Sequence, residues 1–167
     1  MVLRLSKCVL LFAVGIFYLL VVFNNTTDYN SNYQFVHHVL MMDSTFPGNA
    51  GMWRAVNSPL VHHVFYDSII GWEMITTVLC FWGVARLVQN LRTSAAAFNA
   101  AKGVAIAALT LSLLMWFVAF LSVGAEWFLM WQSKSWNGQE ASGRMFTAVG
   151  ILLIYLAMPE AETSPSE

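Results

Sequence analysis

Charge is what this sequence has least of. Of its 167 residues only 10% are Asp, Glu, Lys or Arg, where a soluble domain carries roughly 25%. That deficit excludes an ordinary water-solvated globule. The formal net charge of −1 leaves no basic field for nucleic acid. Cysteine is equally scarce: Cys8 and Cys80 are the only two, and both fall inside apolar runs. A disulfide framework and a cysteine-based metal centre are therefore excluded, and both thiols read as packing residues. The chain also lacks a glycine-rich phosphate loop, an HxxxH, HxxE or CxxC spacing, and any assignable nucleophile–base pair. Nothing in it reads as an active site.

What is present is hydrocarbon. Hydrophobic residues make up 58% of the chain, and a membrane-crossing helix needs about 20 of them in a row. Four windows qualify, at about 5–23, 66–85, 102–130 and 140–158. The fourth is the weakest because Arg144 lies near its start, and Pro159 stops it. The first has a basic start in Arg4 and Lys7 but no small-x-small cleavage site after it, so it reads as an uncleaved anchor. Counting positive residues near span ends puts Arg4, Lys7, Arg86, Arg92 and Lys102 on one side and Arg54, Lys134 and Arg144 on the other. The positive-inside rule then makes both termini cytoplasmic. Trp72, Trp127, Trp131 and Trp136 fall near the outer interface and Trp82 near the inner one, where indole rings are semi-buried and their N–H groups stay wet.

Three pieces lie outside the spans. The inner loop, 86–101, holds good helix formers with cationic ends suited to an anionic leaflet. The tail, 159–167, is short, acidic and expected to be disordered. The outer segment, 24–65, opens with the polar stretch NNTTDYNSNY, expected to be a loop. FVHHVLMM follows, with apolar spacing suited to a short interfacial helix, and then the turn cluster FPGNAG. Ser58 and Pro59 read as an N-cap and first-turn pair, so a helix continuous with the second span is expected from Pro59.

All four histidines sit in this segment, in two copies of Val-His-His-Val: His37 and His38, then His62 and His63. An aspartate follows each pair, Asp43 and Asp67. Adjacent side chains on a helix point about 100° apart, so each pair offers one ligand easily to a shared site. His38 and His63 with Asp43 or Asp67 would suit zinc or another divalent metal. Met41 and Met42 would suit copper, and bis-histidine haem is a third option. The plainer reading, interfacial or hydrogen-bonded histidines, is favoured over all three because no ligand spacing accompanies the repeat.

Ionisable residues inside spans are costly, and they cluster unevenly. Glu73, Glu126 and Arg144 fall at similar depth near the outer end, where they are expected to meet in one layer with the carboxylates paired to Arg144. Asp67, His63 and Arg54 lie directly above, and His63 and Asp67, four apart, are expected to share a helical face. The inner half shows no obvious buried charge, which argues against an ion path through the membrane.

The stretches FVHHVLMMDSTFP (35–47), WRAV (53–56), YDSIIGWE (66–73), FNAAK (98–102) and above all EWFLMWQSKSWNGQ (126–139) carry a resemblance. The chain resembles the predicted small integral membrane proteins of bacteria grouped as a domain of unknown function. The resemblance implies a four-span inner-membrane protein and supplies no catalytic residues.

Together these readings predict an all-α, four-span transmembrane bundle, a single integral domain with a short outer, periplasmic helical subdomain, in the bacterial cytoplasmic membrane. The function expected is non-enzymatic: an accessory or scaffold protein that binds a partner protein or lipid through its outer aromatic face. Its partners would be the bilayer and a membrane protein or further copies of itself. The alternatives are a periplasm-facing metal or redox-cofactor protein and a small transporter.

Overall fold

The computed structural model describes residues 1–161. It is an all-α bundle, with no strand among the described residues. Helix α1 (Val2–Thr27) turns at Asp28 into α2 (Tyr29–Met41). A 3₁₀ turn, Ala50–Arg54, leads to α3 (Pro59–Gln89). Helices α4 (Ala95–Ala101) and α5 (Gly103–Leu114) follow, and α5 continues as a π-helical segment, Met115–Trp127. A short 3₁₀ turn, Met130–Gln132, precedes α6 (Gln139–Ala157). Four helices are long and apolar enough to cross a membrane: Val2–Thr27, Pro59–Gln89, the composite Ala95–Trp127, and Gln139–Ala157. Only 22–33% of each apolar window is buried inside the protein, so residues such as Leu20, Ile75, Val78, Ile151 and Ile154 stand exposed, as a lipid-facing surface requires.

Helix α3 is the spine. It packs against α1 on one side and α5 on the other, and α6 closes against α5 and the π segment. Lipid supplies no hydrophobic drive between helices, so close backbone approach matters. Gly83 on α3 provides it: a Cβ there would lie 3.0 Å from the Ala105 Cα of α5. The core falls into two apolar clusters. One, with Leu11, Cys80, Leu87, Phe98, Leu109 and Leu156, fills the half nearer the chain's lysines. The other, with Val36, Leu40, Met42, Tyr66, Phe128 and Met130, fills the histidine half. Both cysteines are buried and free.

The stretch NNTTDYNSNY, expected as a loop, is helical on both sides of Asp28. Its hydroxyls and amides bond locally instead of opening the chain: Thr26 and Thr27 donate back to the Val22 and Phe23 carbonyls at 2.8 and 2.7 Å. Helix α2 stops at Met42, which adopts a left-handed conformation at φ 53°. Over the histidine end, α2, the turn segments and residues 128–138 form a cap. It is pinned where Val56 N–H donates to Leu40 O at 2.9 Å, Ser44 Oγ bonds Ser133 Oγ at 2.7 Å, and Phe46 N–H donates to Gln132 Oε1 at 3.0 Å.

The lysine half corrects the expectation of a charge-free interior. Lys7 and Lys102 are 3% and 2% exposed. Both donate to the Met158 carbonyl, at 2.9 and 2.7 Å, and both face Glu160, at 2.5 and 3.8 Å. Arg4 approaches the same carboxylate at 3.9 Å and donates to the Leu91 and Thr93 carbonyls. Asn99 clasps the Glu160 backbone with two hydrogen bonds, 3.0 and 3.2 Å. Glu160, expected in a disordered tail, is thus held by three cations from α1 and the α4–α5 junction. Residues 162–167 lie outside the described residues.

Candidate functional site

The repeated histidines meet ring against ring and not around one point. The sequence places each pair on the first or last turns of a helix, and the helical 100° step sends its two members different ways. His37 of α2 meets His62 of α3, Nδ1 to Nδ1, at 3.0 Å. His62 is fully buried, and its Nε2 donates to the Val56 carbonyl at 2.7 Å. In the neutral ring its Nδ1 is therefore the acceptor, and His37 Nδ1 carries the shared proton. Burial, with His62 and His38 nearby, pushes His37 below its ordinary value, against the opposing pull of Asp43.

His38 turns the other way. Its Nδ1 bonds Asp43 Oδ2 at 2.7 Å, and its ring lies flat on Trp136, 4.6 Å between centroids at 13°. His63 stacks on Tyr33, 4.3 Å apart at 16°. His63 and Asp67 share one helical face as spaced, but Tyr29 comes between them. Its hydroxyl donates to Asp67 Oδ1 at 2.8 Å and contacts His63 Nδ1 at 2.9 Å. Burial and the Asp67 hydrogen bond push that hydroxyl up to about 12, so it stays a donor. Each histidine thus finds a partner in a ring, a carbonyl or a single acid. Among the described residues no three His, Cys, Asp or Glu side chains gather as a metal's ligands would.

The polar layer expected from Glu73, Glu126 and Arg144 is redistributed as well. Arg144 is 70% exposed at its side chain and pairs along α6 with Glu140, 2.6 Å away. Glu126 is exposed, and only its backbone carbonyl is used, accepting from Arg54 at 3.5 Å. It sits near the end of the π segment, whose hydrogen bonds span five residues instead of four, as in Phe128 N–H to Val123 O at 2.9 Å. Arg54 sits between the indoles of Trp53 and Trp127, 5.8 and 5.5 Å from their centroids. Asp67 is exposed beneath Tyr29.

Glu73 alone of that set is buried, at 5% exposure, and its partner is an amide. Asn25 of α1 donates to Glu73 Oε2 at 2.7 Å, and its own carbonyl accepts from Asn32 of α2 at 2.6 Å. This Asn32–Asn25–Glu73 chain ties three helices together. Sequence reasoning missed both asparagines because they lay in the presumed loop. No spacing rule pairs them, because the helix breaks at Asp28 between the two. Two turns deeper, Tyr18 and Ser112 share a hydrogen bond at 2.6 Å, and Trp116 Nε1 donates to Tyr18 Oη at 2.8 Å.

Beside Glu73 lies a cavity of about 180 Å³ walled by α1, α2, α3 and the π segment. Among the described residues, a buried carboxylate, amides and aromatic rings converge there. The fold and this interior polar site define a multi-pass helical membrane protein. Over residues 3–159 the chain matches the family described as predicted small integral membrane protein (DUF2165), and it belongs to that family. No curated protein and no solved structure matches it.

Proposed function

We propose that the protein is a non-enzymatic accessory or scaffold subunit of the bacterial cytoplasmic membrane, which holds a partner membrane protein through its outer rim. Both termini are cytoplasmic in this reading, because the lysine end gathers Arg4, Lys7, Arg86, Arg92 and Lys102. The observation that carries the proposal is the Trp53–Arg54–Trp127 patch. Trp53 is 75% exposed, on a turn above the span ends, and Trp127 meets it edge to face at 5.8 Å. Among the described residues, Arg54 between them hydrogen-bonds only the Gly51 and Glu126 carbonyls. Among the described residues no carboxylate lies within ion-pair distance of it. Tryptophan and arginine dominate the energetics of protein interfaces, and a caged guanidinium without an acid suits a partner's carboxylate. The pinned cap beneath presents these groups with little ordering cost.

A photo-crosslinking residue at position 53, expressed in native membranes, tests this. A single discrete protein adduct is expected, lost in Arg54→Glu and copurifying with the wild-type chain at fixed stoichiometry. Adducts to lipid alone would overturn the reading.

A further inference from the structure

We infer that the cavity beside Glu73 is a binding site for a small organic ammonium ion. Three observations lead there. Glu73 is the only acid that lines it, and among the described residues no Lys, Arg or His comes within 4.0 Å of that carboxylate. Asn25 occupies Oε2, while no hydrogen bond from the described residues reaches Oε1. A lone carboxylate at this depth in a bilayer is costly without a counter-charge. Nothing in the chain supplies one here; an empty site is relieved when the carboxyl takes up a proton, and an ammonium ligand takes that proton's place.

Tyr66 is the second observation. It is 2% exposed and lines the same cavity, and its hydroxyl has no hydrogen-bond partner among the described residues. A buried hydroxyl without a partner is costly, and no other fully solvent-shielded side-chain donor or acceptor among those residues lacks one. An ammonium N–H donating to Glu73 Oε1 would use the acceptor that stays open there, and the Tyr66 ring adds to the wall.

The third observation is the wall. Phe35, Trp116 and Phe120 line the cavity together with Tyr66. Ring faces attract cations and tolerate the ligand's hydrocarbon body. An inorganic cation is a poor fit, since hard cations ask for six or more oxygen ligands and only one carboxylate is present. The volume of about 180 Å³ slightly exceeds that of an engineered 150 Å³ apolar cavity that takes benzene. The ligand is therefore about the size of one ring, carried on a primary or secondary amine. This site is independent of the outer-rim patch, and its test does not involve a partner protein.

Full-length protein in mild detergent, titrated with benzylammonium and separately with its neutral isostere benzyl alcohol, tests the inference through calorimetry and Trp116 fluorescence. Benzylammonium is expected to bind at least 10-fold more tightly than the alcohol. Glu73→Gln keeps an oxygen for Asn25 and should weaken the ammonium at least 10-fold while leaving the alcohol unchanged. Equal binding of the two compounds to the wild-type chain would show an apolar void only and overturn the inference. Absence of binding by benzylammonium would overturn it too. The wild-type comparison stands even if a variant fails to fold.

Discussion

Replacing Glu160 by Gln removes one charge and almost no volume, and it should cost the protein more than any other isosteric change at its surface. The carboxylate lies 2.5 Å from Lys7, 3.8 Å from Lys102 and 3.9 Å from Arg4. At an effective dielectric of about 20 each attraction is about 4–7 kcal/mol, offset by desolvation and by the mutual repulsion of three cations. Gln still offers an oxygen to Lys7, so the loss isolates charge. Removing one partner of a fully buried pair costs about 3–5 kcal/mol. Glu160 keeps 11% side-chain exposure, which places the expected loss nearer about 2–3 kcal/mol. At 2–4 °C per kcal/mol for a chain this size, Tm in detergent should fall by about 4–12 °C. Acid provides an independent check. Burial raises the Glu160 carboxyl, but Lys7, Lys102 and Arg4 outweigh it and hold it below 4.5. A carboxyl lowered in the folded state contributes stability that is present above about 4.5 and lost as pH falls through the folded value. The wild-type Tm should therefore decline in that window, and the Glu160→Gln curve should be flatter. An unchanged Tm at pH 7, or identical acid profiles, would refute the argument.

Other outcomes follow from the same geometry. Gly71→Ala and Gly83→Ala lie in one helix and share a propensity gain of up to about 1 kcal/mol. A Cβ at Gly71 meets nothing within 4 Å, whereas at Gly83 it presses on the α5 backbone. Gly71→Ala should then hold or raise Tm, and Gly83→Ala should lower it through about 1–3 kcal/mol of overpacking; the reverse order would contradict the close α3–α5 approach. His62→Ala, which leaves His37 and the Val56 carbonyl without their partner, should cost about 2–4 kcal/mol by thermal unfolding. Arg144→Ala should shift stability by less than about 0.5 kcal/mol, since its pair is solvated and four residues apart on one helix. Because His37 is lowered when folded, it contributes stability present in full above about 6.5 and lost as pH falls from there through its folded value; His37→Gln should flatten the Tm profile between pH 7 and 5.

The sequence by itself determined the class and its frame. Scarce charge and four apolar runs left a membrane bundle as the one place where this chain's backbone and side chains are both satisfied, and the Ser58–Pro59 pair marked where α3 begins. Hydropathy is a property of each residue and its neighbours, so it reads directly. Partnership is not. The asparagine relay to Glu73 depends on Asn25 and Asn32 being helical, which their polar, turn-forming types argued against locally, and tertiary packing of α1 and α2 on α3 overrode that preference. Similar depth put Glu126 in one layer with Glu73, but depth does not say which face of a helix a side chain takes, and Glu126 is exposed on the π segment. Glu160 became a structural anion only because Arg4, Lys7 and Lys102, distant in sequence, arrive at one end of the bundle. The four histidines looked like one site on paper. Their side-chain directions, set by the helical step and by which ring or carbonyl faces each, gave each a different hydrogen-bond partner within one ring cluster.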